Sequence, residues 1–183
     1  MRTALMVAAM MAAGGLASAQ APAAAAARLT LTTDAGTIEI KLRPDLAPNH
    51  VRHVVKTARA GGYDGTTFHR IIAGGIIQGG DPLTKDPKNA ARYGSGGLGL
   101  LKAEFSETPF TRGVVAAARR PSSNDSGGSQ FFICLSDQPG LKGQYTVFGE
   151  VTSGMEAADA IGQTPLQDGK PTIRVVIKKA TAE

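Results

Sequence analysis

The chain has 183 residues, 42% of them hydrophobic and 19% charged, with 23 Gly, 10 Pro and no Trp. Its formal charge is +5, but the basic residues are scattered and aromatics few, so no nucleic-acid partner, which would need a basic patch, is expected. A single cysteine, Cys134, excludes an internal disulfide, and its place in the apolar run Phe131-Phe132-Ile133-Cys134-Leu135 makes it a small core residue rather than a nucleophile.

Met1-Arg2-Thr3 gives a charged start, an apolar run follows from Ala4 to Ala13, and Ala17-Ser18-Ala19 fits a small-x-small cleavage pattern. Residues 1–19 therefore read as a secretory signal peptide. Cleavage after Ala19 would lower the formal charge by one, through loss of Arg2. No Cys follows the apolar run to take a lipid anchor, and no later segment approaches the ~18 apolar residues of a membrane span. The expectation is a soluble protein of the periplasm or the medium, without stable membrane insertion. Residues 20–28 are an Ala-rich tether, and 29–180 form one domain.

Leu29 to Thr33 and Thr37 to Leu42 are β-prone runs split by the turn residues Asp34-Ala35-Gly36, which predicts a first hairpin. Pro48 then opens a helix with Val51, Val54, Val55 and Ala58 on one stripe, and Gly61-Gly62 closes it. The stripe is expected to seal one end of a barrel. His50 and His53 fall on this helix as surface histidines; a third ligand is lacking, so no metal is expected.

The most informative stretch is Phe68-His69-Arg70-Ile71-Ile72-Ala73-Gly74-Gly75-Ile76-Ile77-Gln78-Gly79-Gly80-Asp81. Two short β-branched runs flank Ala73-Gly74-Gly75, the composition of a three-residue hairpin loop. Symmetry about Gly74 sets Arg70 opposite Gln78, so that an amide holds a guanidinium on a buried edge beside apolar surface. A cation fixed in this way can polarise one atom of a ligand.

Pro82 to Arg92 reads as a surface loop. Gly94 to Gly99 fits G-x-G-x-x-G, but Leu100 to Phe105 leaves too little helix before Pro109, so a turn-rich loop is expected and no cofactor. Gly113–Ala118, Gln130–Leu135 and Thr146–Val151 are strands, Gly154–Ile161 is a short helix stopped by Gly162, and Thr172–Lys178 is the last strand. Many strands and few helices favour a closed sheet, which removes aggregation-prone edges. Asn124-Asp125-Ser126-Gly127-Gly128 is similar to the nucleophile loop of trypsin-like proteases, with His69 and Asp81 or Asp86 in the required order. His69 is already explained by the hairpin, and the context expected around a catalytic base is missing, so Ser126 is read as a loop residue.

Together with Gly128-Ser129-Gln130-Phe131-Phe132-Ile133 and Tyr145-Thr146-Val147-Phe148-Gly149, the hairpin resembles the cyclophilin-type peptidyl-prolyl isomerases, in the family's order and over roughly residues 29–180. The resemblance implies an all-β dominated fold, a closed eight-stranded antiparallel β-barrel capped by two α-helices. It also implies a cofactor-independent isomerase for proline-containing polypeptides; nothing in the sequence demands more than a monomer. Arg70 matches the catalytic arginine and Gln78 the residue that orients the peptide. Gln130 and Phe132 match peptide-site positions, Phe132 as floor of the proline pocket, with one of Phe131 and Phe132 expected in the core. Ile76 and Leu141 match its apolar walls, Ala118 and Arg119 the strand edge that pairs with substrate, and Tyr145 a position where many members carry histidine.

Two positions depart from the pattern: Gly75 replaces a phenylalanine of the pocket, and Gly140 a tryptophan found in some members. Losing the phenylalanine predicts a shallower pocket and slower or less selective turnover, whereas lacking the tryptophan bears on cyclosporin-like ligands and not on isomerase activity. The same barrel acting as a non-catalytic peptide-binding module or holdase is the alternative. A role in envelope protein folding follows from the address and the resemblance alone.

Overall fold

The computed structural model describes residues 28–183; the signal peptide expected at 1–19 and residues 20–27 of the tether lie outside the described residues. Leu29, Leu31, Ile38, Ile40 and Leu42 are all buried and alternate with polar neighbours, the period-2 pattern of a strand with one wet face. They form the first hairpin, β1 (Arg28–Thr33) and β2 (Gly36–Leu42). Thr33 closes its turn: the hydroxyl donates to the Gly36 carbonyl and accepts from the Ala35 amide.

Helix α1 (Pro48–Arg59) buries Val51, Val54 and Ala58 as the stripe predicts. Its N-cap, Ala47, offers no side-chain oxygen. Glu104, distant in sequence, takes that role by accepting from the Asn49 and His50 amides at 3.1 and 3.0 Å, a carboxylate where the helix leaves amides unpaired. The expectation of two surface histidines is corrected here. His50 is 1% exposed, with Nδ1 2.6 Å from Glu104 Oε2, because the carboxylate that caps the helix also gives the imidazole a buried partner. Among the described residues no cluster of three metal-ligating side chains occurs.

The strand expected from Phe68 to Ile72 is broken at His69 into β3 (Thr67–Phe68) and β4 (Arg70–Ile72), the latter hairpinned to β5 (Ile76–Gly79). The surface loop expected at 82–92 carries two 3-10 turns, Pro82–Lys85 and Pro87–Arg92. Strands β6 (Val114–Ala117), β7 (Phe131–Cys134) and β8 (Val147–Ser153) follow, then helix α2 (Met155–Gly162). A small hairpin of β9 (Leu166–Gln167) and β10 (Lys170–Pro171) precedes β11 (Val175–Ala182).

The main sheet runs β3-β11-β1-β2-β8-β6-β7-β5-β4, with every pair antiparallel. Its two end strands are separated only by His69, whose amide donates to the Gln78 carbonyl at 3.0 Å, so the sheet comes round on itself. The eight strands expected become nine because one of them bends between two partners. The last strand is also displaced from the predicted 172–178. Ladder pairing starts at Val175 opposite Phe68, and a bulge opposite Thr32 and Thr33 leaves both Lys178 and Lys179 exposed before the strand resumes. A bulge breaks the two-residue period from which strand ends are read.

Alternation along β7 separates two apolar layers. Phe131 and Ile133 point into the barrel core with Phe68, Phe148 and the stripe of α1. Phe132 and Cys134 point outward into a smaller cluster with Ile76, Phe110, Val114, Ala116 and Val147. Burial pushes the Cys134 thiol up to about 12, consistent with an inert core residue. α1 packs on β11 and β8, and α2 on β2 and β5.

Candidate active site

Arg70 and Gln78 face each other across the β4–β5 ladder, as their spacing about Gly74 predicts. Gln78 Oε1 accepts from Arg70 Nη1 at 3.2 Å, and Gln78 Nε2 donates to Gln130 Oε1 at 2.9 Å. Gln130 Nε2 in turn donates to the Gly96 carbonyl at 2.7 Å. Each amide thus has its orientation fixed by the next, and the chain of bonds ends on backbone. One expectation is adjusted: Arg70 is exposed, so its guanidinium sits on a lip and not on a buried edge.

Beside that lip lies a cleft of about 410 Å³ on the outer wall of the barrel. Arg70, Ile76, Gln78, Ala118, Arg119, Phe132, Leu141 and Tyr145 all line it. Gln130 is the exception among the residues singled out in the sequence, being fully buried and reaching the cleft only through Gln78. Phe132 stacks on Phe110, with ring centroids 6.2 Å apart, and meets Tyr145 edge-on at 5.3 Å. The Arg119 guanidinium lies 4.8 Å from the Tyr145 ring centre, while its Nε donates to the Gln144 carbonyl at 2.9 Å. These contacts hold the apolar floor and one wall without a ligand.

Sequence reasoning missed three lining residues, Ile72, Pro121 and Gln138, and the ring that supports the floor, Phe110. Ile72 was legible, since it stands two residues from Arg70 on one strand and so shares its face. Gln138 reaches the cleft from a loop held by its own amide on the Phe110 carbonyl, at 2.6 Å, which no local pattern announces. Gly75 and Gly140 differ in kind. A Cβ on Gly75 would stand 3.0 Å from Ile72 Cγ2, whereas one on Gly140 would meet nothing within 4 Å.

Behind the amide chain, Asp81 is completely buried. Its Oδ1 accepts from the Leu83 amide at 2.8 Å, and Oδ2 from the amides of Gly94 and Gly96. The glycine pattern at 94–99 is therefore a loop wrapped on a carboxylate, and through Gly96 it backs Gln130. Ser126 is spent on its own loop, its Oγ donating to the Ser123 carbonyl at 2.6 Å and accepting from the Arg120 amide at 2.7 Å.

A barrel that closes through a broken strand, with an aromatic-floored cleft on its outside and one guanidinium at the lip, has the cyclophilin architecture. A model of the cyclophilin type peptidyl-prolyl cis-trans isomerase family matches residues 28–182, and the chain belongs to that family. It is 49% identical over 131 residues to a Brucella suis protein described as "Probable peptidyl-prolyl cis-trans isomerase", a match covering 69% of this chain and 66% of that one. It is also 43% identical over 129 residues to peptidyl-prolyl cis-trans isomerase B of Bacillus subtilis, covering 70% and 85% of the two chains. A crystal structure of a Cryptosporidium parvum cyclophilin type isomerase in the presence of the dipeptide Ala-Pro superposes with a TM-score of 0.76 at 28% identity, over 85% of this chain and 98% of that one.

Proposed function

We propose that this protein accelerates cis-trans rotation of X-Pro bonds in extended polypeptide segments, with Arg70 as the catalytic residue. The uncatalysed rotation is opposed by a barrier of about 18–20 kcal/mol from amide resonance and takes tens to hundreds of seconds. A ~10⁵-fold acceleration needs roughly 7 kcal/mol off that barrier. No covalent step is required. Twisting removes resonance and makes the nitrogen pyramidal and basic, so a donor aimed at it stabilises the transition state more than the ground state. Arginine suits this role because it stays charged and its fork presents several donors at once.

The observation that carries the reading is the Arg70 guanidinium, hydrogen-bonded to Gln78 on the lip of a cleft floored by Phe132. In this reading Phe132, Ile76 and Leu141 receive the proline ring, Gln78 steadied by Gln130 orients the peptide, and Tyr145 donates to a substrate carbonyl. The Ala118 amide is already given to the Gln130 carbonyl at 3.0 Å, which leaves the Ala118 carbonyl, next to Arg119, to pair with a visiting backbone. The match of the Cryptosporidium relative, described with Ala-Pro, supports the same ligand class.

A protease-coupled assay on Ala-Pro and Gly-Pro peptides tests this directly. Acceleration by the wild-type protein supports the isomerase reading. Peptide binding without faster exchange would instead favour a holdase built on the same cleft, a reading to which the glycine at 75 lends weight. Action on unfolded chains in the cell envelope belongs to the same proposal, its address resting on Ala17-Ser18-Ala19 and the apolar run before it. Expression in a bacterial host followed by fractionation and mass measurement checks it. A periplasmic product starting near Gln20 is expected, and an uncleaved cytoplasmic chain would contradict it.

A further inference from the structure

The hollow surface does not end at Arg70. A second hollow of about 460 Å³ shares Arg70, Ile72 and Gln78 with the cleft and continues to His69, Tyr93 and Lys170. A third, of about 380 Å³, shares those last three residues with the second and runs on to Ile173 and Arg174. Shared walls make the three hollows consecutive stretches of one trough.

The far wall of the trough is the β9–β10 hairpin. Asp168 and Gly169 turn it with φ of 52° and 73°, the positive values of a tight two-residue turn. The Gly169 carbonyl accepts from the Ile71 amide at 3.1 Å, which docks the hairpin on the free edge of β4 beside Arg70. At the other end Arg174 donates to Tyr93 Oη at 3.2 Å and to the Thr84 carbonyl at 2.9 Å, tying the hairpin segment to the 3-10 turns opposite. Both walls are thus held without a ligand, which lowers the ordering cost of filling the space between them.

The charge of this surface is one-sided. Arg70, Lys170 and Arg174 face it, against Asp168 alone. His69 forms the floor that the two outer hollows share and is 7% exposed, with no partner in hydrogen-bonding geometry at either ring nitrogen. Burial pushes its imidazole toward the neutral form. Among the described residues Lys170 makes no ion pair. Between the cations stand the exposed apolar side chains of Ile72 and Ile173, 46% and 61% accessible. An extended chain sends alternate side chains to opposite sides, so it can lay apolar groups on these residues and carboxylates on Lys170 and Arg174.

We infer that this trough extends the substrate site, receives the residues flanking the proline, and selects acidic side chains there, with Lys170 as a specificity-determining residue. The inference rests on the isomerase reading of the cleft for its substrate, and its test separates the two. Peptides with an Ala-Ala-Pro core and Glu-Glu, Gln-Gln or Lys-Lys on either side would be compared. Kd is read by anisotropy with a neutral label, and KM and kcat by NMR exchange.

For one placement, Glu-Glu is expected to bind wild type about three- to tenfold tighter than Gln-Gln, the size of a few exposed charge contacts. That advantage should vanish in about 1 M salt and in a Lys170→Glu protein whose circular dichroism and melting temperature match wild type. Equal affinity of the Glu and Gln peptides, or an advantage that survives Lys170→Glu, overturns the inference while normal turnover of the uncharged peptide leaves the isomerase reading intact. An acid preference in Kd without acceleration of any peptide upholds the trough and refutes the isomerase.

Discussion

Gly75 follows the turn of the β4–β5 hairpin, next to Ile76 and packed against Ile72, which both line the cleft. Its φ does not fall among the positive values of this chain, so the backbone accepts a side chain there, and a new Cβ would stand 3.0 Å from Ile72 Cγ2 and 3.4 Å from its Cβ and carbonyl, so the half-exposed Ile72 has to give by a few tenths of an ångström. Gly75→Phe is therefore expected to place a ring over the cleft. If that ring shields only ~40 Å² of apolar surface in the complex, about 1 kcal/mol is gained, or roughly a fivefold lower KM for an Ala-Pro peptide. Steady-state kinetics on the variant read this, and an unchanged or higher KM would mean that the phenylalanine does not restore the wall. The glycine and the side chain beside it were both legible in the sequence. Ile72 shares the wall only because the hairpin turns it the same way as Arg70.

Elements position these side chains through long-range contacts that local patterns do not announce. The β4–β5 hairpin was readable to the residue pair, since two β-branched runs about a glycine turn admit one register once Arg70 and Gln78 share a face. The β9–β10 hairpin escaped notice because its strands are two residues each and one holds Pro171. The end of β11 was hidden by the bulge at Lys178 and Lys179. Glu104 and Asp81 were equally illegible as elements of support, since each works by accepting backbone amides from segments remote from itself. Asp81 makes the sharper test. Asp81→Ala removes a buried carboxylate from three amides, and hydrogen bonds to charged groups contribute about 1.5–3 kcal/mol each. A loss of at least ~2 kcal/mol in urea unfolding is expected, with a fall in kcat/KM as the Gly94–Gly99 loop stops backing Gln130. Unchanged stability would remove Asp81 from this role.

On the scale of the whole molecule, one barrel keeps two chemistries apart by strand alternation: Phe131 belongs to the interior and Phe132 to the cleft. The same burial sets the response to acid. Desolvation, partly offset by Asp81, lowers the folded-state pKa of His69, and His53 is lowered by burial and by His50. A histidine so depressed binds its proton later in the folded than in the unfolded chain, whose ordinary value is about 6.5. The unfolded state then holds more protons just below that value, and stability falls as pH drops through it.

Carboxylates add a second loss at lower pH. Burial alone would raise Glu104, but His50 and the helix amides hold it below its ordinary range. Asp34 is lowered by the Val176 amide and Lys178. Their contribution is present above about pH 4 and is lost as pH falls through the folded-state values; at the exposed Asp34 it is screened by solvent. Thermal melts should therefore show Tm declining from pH 7 to 5, and His69→Gln should flatten that slope whatever it does to Tm at neutral pH. A slope unaltered in the variant would show that His69 does not carry this part of the acid response.

The central claim is that one guanidinium, held by Gln78 at the lip of an aromatic-floored cleft, lowers the rotation barrier of a bound X-Pro bond. NMR exchange spectroscopy on an Ala-Pro peptide, with wild type and Arg70→Ala matched by circular dichroism and melting temperature, measures it most directly. The expected result is rapid exchange with wild type and at least a tenfold slower rate with the variant, about 1.4 kcal/mol or more of lost transition-state stabilisation. A folded Arg70→Ala protein that exchanges the peptide as fast as wild type would contradict it.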